Sequence, residues 1–62
     1  MNAPSIDCVV HRHYRDSGQR TTYVYWRDGS RTEFSTNDPG THAKALLARA
    51  AKLNKPVTHE VW

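Results

Sequence analysis

The sequence predicts an α+β domain: a three-stranded antiparallel meander, one helix packed on one face, and a short C-terminal fourth strand, in the order βββαβ. Three observations carry that prediction. Runs rich in β-branched and aromatic residues, separated by turn residues, fill the first half of the chain. An alanine- and leucine-rich stretch, THAKALLARAAKLNK, follows with helical spacing of its apolar positions. A last alternating run, VTHEVW, reads as a strand.

Taken in order, residues 1–5 are polar around Pro4 and are expected to be a loose end of a single domain spanning 1–62. IDCVVHRHYR, residues 6–15, is the first strand. DSGQ at 16–19 is turn chemistry, with Gly18 free to take positive φ. RTTYVYWR at 20–27 is the second strand. Asp28-Gly29 is the strongest hairpin signal and predicts a tight primed turn. SRTEFST at 30–36 returns as the third strand. NDPG then breaks the pattern. Either Asp38 caps a helix with Pro39 at its first position, or Gly40 belongs to a turn and Thr41 caps. Ala43, Leu46, Leu47, Ala50 and Leu53 form one apolar helical stripe. Lys52 and Lys55 suit the negative end of the helix dipole, Asn54 can take a left-handed cap conformation, and Pro56 stops the helix.

Side chains alternate across a strand, which sorts the aromatic stretch TTYVYWRDGSRTEF into two faces. The expected core face carries Ile6, Cys8, Val10, Val24, Trp26 and Phe34 against Leu46, Leu47, Ala50 and Leu53. The opposite face then carries His11, His13, Arg15, Tyr23, Tyr25, Arg27 and Arg31, with Glu33 as its acid. Arg12 and Tyr14 continue the proposed core face of the first strand. They therefore lie beyond the helix footprint, or a bulge changes the phase.

Composition narrows the function classes. A 62-residue chain buries only about 60% of its unfolded surface, and small domains are often reinforced by a disulfide, a metal or a partner subunit. The single cysteine, Cys8, permits no intramolecular disulfide and is expected as a buried thiol on the apolar face. A homodimer burying the C-terminal strand or Trp62 would supply the missing reinforcement. Neither a secretory leader nor an apolar run of membrane-spanning length is visible, so a cytoplasmic protein is expected. Nine Lys and Arg against six Asp and Glu give a net charge of +3. Five arginines, Arg12, Arg15, Arg20, Arg27 and Arg31, fall in the first half.

No nucleophile–base–acid arrangement, glycine-rich phosphate loop or carboxylate pair is recognisable, so an enzyme is not expected. Arg27 and Arg31 sit astride a turn, and arginine's planar fork suits phosphates and guanine edges. The ordinary alternative is a solvated hairpin with Arg27 paired to Glu33 or Asp28. Tyr23 and Tyr25 can stack on bases or anchor a protein interface. His11 and His13 share a strand face at a spacing that can chelate a metal with His42 or His59. No Cys/His framework surrounds them, and the expectation is a pair of surface histidines with no metal or cofactor.

The meander carrying YVYWRDGSRTEF, the polar break and the helix THAKALLARAA together resemble the N-terminal arm-type DNA-binding domain of phage tyrosine integrases, over roughly residues 12–51. The resemblance implies that the sheet enters the DNA major groove with the helix packed behind it. It nominates Arg15, Tyr23, Tyr25, Arg27 and Arg31 as the DNA-facing set. The sequence departs from that family in ending at Trp62 without core-binding and catalytic domains, and in adding VTHEVW. The expectation is a free-standing phage or mobile-element accessory protein that binds nucleic acid, double-stranded DNA first. The alternative is a phage-type inhibitor that binds a host protein, of the anti-CRISPR type.

Overall fold

A computed structural model describes residues 4–62. In chain order it places β1 (Ile6–His13), β2 (Arg20–Trp26), β3 (Arg31–Ser35), α1 (Gly40–Lys52) and β4 (Val57–Val61). The α+β prediction and its βββαβ order hold. The strands form one sheet in the order β3-β2-β1-β4. β1–β2 and β2–β3 are antiparallel, and β4 joins β1 in parallel, making the sheet mixed. A parallel return needs a crossover of a dozen or more residues, and α1 supplies it. Of the expected loose end, residues 1–3 lie outside the described residues. The Ser5 carbonyl accepts the Arg27 amide at 2.9 Å.

The phase of β1 is set by a bulge. Ile6 opposes Trp26 while Cys8 opposes Tyr25, so Asp7 is an extra residue with no partner on β2. Past it, Val9 opposes Val24, and His11 opposes Thr22. Directly opposed residues share a face. Ile6 and Val9 therefore both face the helix, although they are three apart in sequence. They form the core with Val24 and Ala50, and Trp26, Phe34 and Leu47 pack against it. Ala43 and Leu46 are also buried.

Val24, Trp26 and Phe34 thus lie where strand alternation put them. Cys8 and Val10 do not. The bulge turns both to the helix-free face, where they are only half-buried. Leu53 also leaves the expected core and is 50% exposed, because it lies beyond the last turn of α1. The helix end follows its sequence signals. Asn54 takes φ of +55°, its amide bonds the Ala51 carbonyl, and the Lys55 amide bonds the Ala50 carbonyl, a Schellman arrangement. At the start no side chain makes a cap bond, so neither Asp38 nor Thr41 fills that role. Pro39 occupies the cap position, and Gly40 follows with φ of +83°.

The β2–β3 turn differs from the expected primed type. Gly29 has positive φ but Asp28 does not, and the Gly29 amide bonds the Trp26 carbonyl at 3.0 Å. This is the longer hairpin loop in which a turn is followed by a left-handed glycine. The carboxylate of Asp28 accepts the Ser30 amide at 2.9 Å and the Ser30 hydroxyl, which hold it below its ordinary pKa.

Candidate nucleic-acid interface

The bulge decides what the helix-free face displays. Arg12 and Tyr14 from the β1 side join Tyr23 and Tyr25 of β2, Arg31 and Glu33 of β3, and Glu60 and Trp62 from the β4 side. These residues form one layer. The Arg12 guanidinium carbon lies 3.8 Å from the Trp62 ring centroid, 4.7 Å from that of Tyr23 and 5.8 Å from that of Tyr14. Its Nε donates to Glu60 Oε1 at 3.1 Å, and its Nη1 donates to the Tyr14 hydroxyl at 3.1 Å. Trp62 Nε1 donates to the same Glu60 oxygen at 3.1 Å. The Arg12 side chain is only 12% exposed, so its cation–π contacts are partly desolvated, the condition under which such contacts strengthen.

Tyr23 lies at the centre of this layer and is only 4% exposed, which corrects the expectation that it stands out to solvent. Arg31 approaches its ring at 4.7 Å, as Arg12 does. Its hydroxyl bonds that of Tyr14 at 2.8 Å. That bond, with Arg12 donating to Tyr14 as well, draws the Tyr14 phenol below its usual pKa. The same bond, together with burial, pushes Tyr23 up. The Tyr14 bond, supported by Glu60, raises the Arg12 guanidinium further above its already high value. The Tyr25 hydroxyl does the same for Arg31.

The expected surface set is therefore divided. Tyr23, Tyr25 and Arg31 share the helix-free face, Tyr23 as its buried centre and Tyr25 half-buried beside it. Arg27 is exposed in the β2–β3 turn. The pairing with Glu33 or Asp28 that the solvated-hairpin alternative offered is not made, since among the described residues the one ion pair is Arg12–Glu60. Arg15 is exposed just past β1, with its amide on the Trp62 carbonyl at 2.9 Å and its Nε reaching the same oxygen at 3.4 Å.

His11 and His13 are not on this face. The bulge sends both to the helix side, beyond the end of the apolar core. There His11 Nδ1 bonds Thr22 Oγ1 at 2.7 Å, and Thr22 Oγ1 bonds Thr36 Oγ1 at 2.8 Å. The His11 ring stacks on His59 at 5.1 Å, because the two are register partners across β1 and β4. Burial, and secondarily His59, lower the His11 pKa. With Arg20 and Val61 the three histidines line an open depression of about 370 Å³. Among the described residues no three His, Cys, Asp or Glu side chains converge as a metal set.

Arg12, Tyr14, Glu60 and Trp62 were missed as members of the face. The signal for two of them was visible, since a charged Arg12 and a Tyr14 interrupt the would-be apolar side of the first strand. Placing Glu60 and Trp62 required knowing that β4 pairs beside β1. No family model, curated protein or solved structure matches this chain. Among the described residues no helix is long and apolar enough to cross a membrane.

Proposed function

We propose that the protein is a small non-enzymatic, cytoplasmic binding module, of the free-standing phage or mobile-element kind, that engages nucleic acid through its helix-free sheet face. One observation carries this reading. Tyr25 and Arg31 share that face, Arg27 projects from the adjoining turn, and none of Arg15, Arg27 and Arg31 has an acidic ion-pair partner among the described residues. Their charge is free to meet phosphate. A DNA major groove about 12 Å wide admits two strands, and the edge strand β3 with β2 beside it is the part of the sheet offered to it. In this reading Arg27 and Arg31 contact phosphate or guanine edges, Tyr25 contributes apolar contact, and Arg15 reaches phosphate at the far end of the sheet. The packed contacts of Arg12 with Tyr14, Tyr23 and Trp62 hold these side chains in place on that face. His11 and His13 leave the proposed contact set.

The test is fluorescence anisotropy with duplex and single-stranded oligonucleotides across salt. Three phosphate contacts predict a slope of log K against log salt of roughly −2 to −3. Arg27→Ala with Arg31→Ala should abolish most binding and flatten the slope. No binding at low salt sinks the reading. A host protein partner is the second reading, favoured by Trp62, which is 59% exposed beside arginine and tyrosine on the same face, the residue types that dominate interface hot spots. Stoichiometric recovery of one protein from nuclease-treated host lysate, lost in Trp62→Ala, selects it.

A further inference from the structure

The two edges of the sheet are protected unequally. β3, at one edge, carries the charged Arg31 and Glu33, and such charges blunt pairing with another strand. β4, at the other edge, has no such guard. Its one formally charged side chain, Glu60, is already held by Arg12. Among the described residues the large apolar side chains left exposed are Leu53 at the end of α1 and Val57, Val61 and Trp62, the last three in β4 or next to it in sequence.

We infer that β4 pairs antiparallel with β4 of a second copy of this chain, centred on His59, to make one continuous sheet across a two-fold axis. The backbone fixes this register. Pro56 and Trp62 direct their hydrogen-bonding groups inward to β1, as the Val9–Pro56 and Trp62–His13 bonds show. Groups alternate along a strand, so Val57, His59 and Val61 present both N–H and C=O outward. Antiparallel pairing about His59 sets Val57 against Val61 of the second copy and His59 against itself, so each outward residue meets another outward residue. Each such pair exchanges two backbone bonds.

Side chains obey the same register. Val57 and Val61 lie on the helix side of the sheet, opposite Val9 and His13, and across the axis they form two apolar pairs on one face. Thr58 meets Glu60 on the other face, so the two acids do not oppose each other. A register shifted by two residues leaves outward groups unpaired and separates the valines. Self-complementarity of this kind is what a two-fold interface requires, and a foreign strand has no such constraint to satisfy. The interface is small, so its dissociation constant is expected on the order of 1–100 µM.

This inference is independent of nucleic-acid binding and is tested without it. Sedimentation equilibrium from micromolar to millimolar concentration should show a shift from the 7.1 kDa chain to twice that mass. Val61→Lys should weaken the dimer at least tenfold while leaving the circular dichroism spectrum unchanged, since Val61 is 64% exposed. The register is read by cross-linking in a Cys8→Ser background with oxidised glutathione. Paired residues sit about 5.5 Å apart between Cα atoms, within disulfide reach. His59→Cys should therefore cross-link to itself. Val57→Cys should not, its two copies being about 14 Å apart along the strands. A mixture of Val57→Cys and Val61→Cys chains should cross-link as a heteromeric pair. A chain that stays monomeric to about 1 mM overturns the inference and leaves the β4 edge to a strand from another protein. Cross-linking of Val57→Cys to itself as readily as His59→Cys overturns the register.

Discussion

The two faces of this sheet are closed by different physics. The helix side is sealed by apolar burial, with Ile6, Val9 and Val24 pressed under Ala50 of α1. Among the described residues no element covers the other side, yet Tyr23 is as inaccessible there as residues under the helix. Two arginines, Arg12 and Arg31, lie near its ring, and Arg12 is itself fixed by Glu60, Tyr14 and Trp62. The first closure is non-directional and scales with apolar area. The second depends on placed donors, acceptors and ring faces. Long arginine and aromatic side chains, rather than a second packed element, cover this face among the described residues.

Mutation should expose this difference. Ile6→Ala is expected to be the most damaging change, costing about 2–5 kcal/mol through lost transfer energy and a residual cavity. That is a large share of the roughly 3–9 kcal/mol expected for a domain of this size. Chemical denaturation should find the variant mostly unfolded or close to it. Arg12→Ala comes next. It strips Glu60, Tyr14, Tyr23 and Trp62 of their shared partner, and the melting temperature should fall clearly while Trp62 fluorescence changes. Arg12→Lys should recover little, because an ammonium cannot bond two partners in a planar fork. Full recovery by lysine would mean that the open face needs only a positive charge.

Thr22→Val probes the helix side where its apolar core ends. The hydroxyl bridges His11 and Thr36 from a fully buried position. Its removal leaves polar partners unmet, for about 1–3 kcal/mol, or a melting-temperature loss of roughly 4 °C or more. The smallest effect is pH dependence. The folded state lowers the His11 pKa from 6.5 through burial and then through His59. Between the lowered value and 6.5 the unfolded chain binds more protons than the folded one, so stability rises with pH across that window. The contribution is complete above about 6.5 and is lost as pH falls through the folded value. Urea midpoints at pH 5 and pH 7.5 should differ less in His11→Gln than in the parent. An equal difference would remove His11 as the cause.

Much of the fold could be read directly. The strand runs, Gly18 and Gly29, the helical stripe, Asn54 and Pro56 each state a local preference, and the structure follows nearly all of them. The site was only half legible. On β2 and β3 alternation is unbroken, and Tyr23, Tyr25, Arg31, Val24, Trp26 and Phe34 all fall on their expected faces. On β1 the single extra residue Asp7 reverses every later assignment. His11 and His13 exchange faces with Arg12 and Tyr14. Alternation has a period of two, so one residue left unpaired inverts the pattern for the rest of the strand.

The sequence by itself therefore determined the elements, because propensity, turn chemistry and periodicity act within a few residues of each other. Which edge β4 would join, and which way β1 would face after Asp7, were decided only in the tertiary structure. Both depend on partners far away in the chain: Trp26 and Tyr25 set the bulge, and β1 accepts β4 some 48 residues later, as the Arg12–Glu60 bond records. Local signals do not encode such pairings. They are settled by burying Ile6, Val9 and Val24 together beneath α1, and the arginine–aromatic layer on the far side is a consequence of that choice.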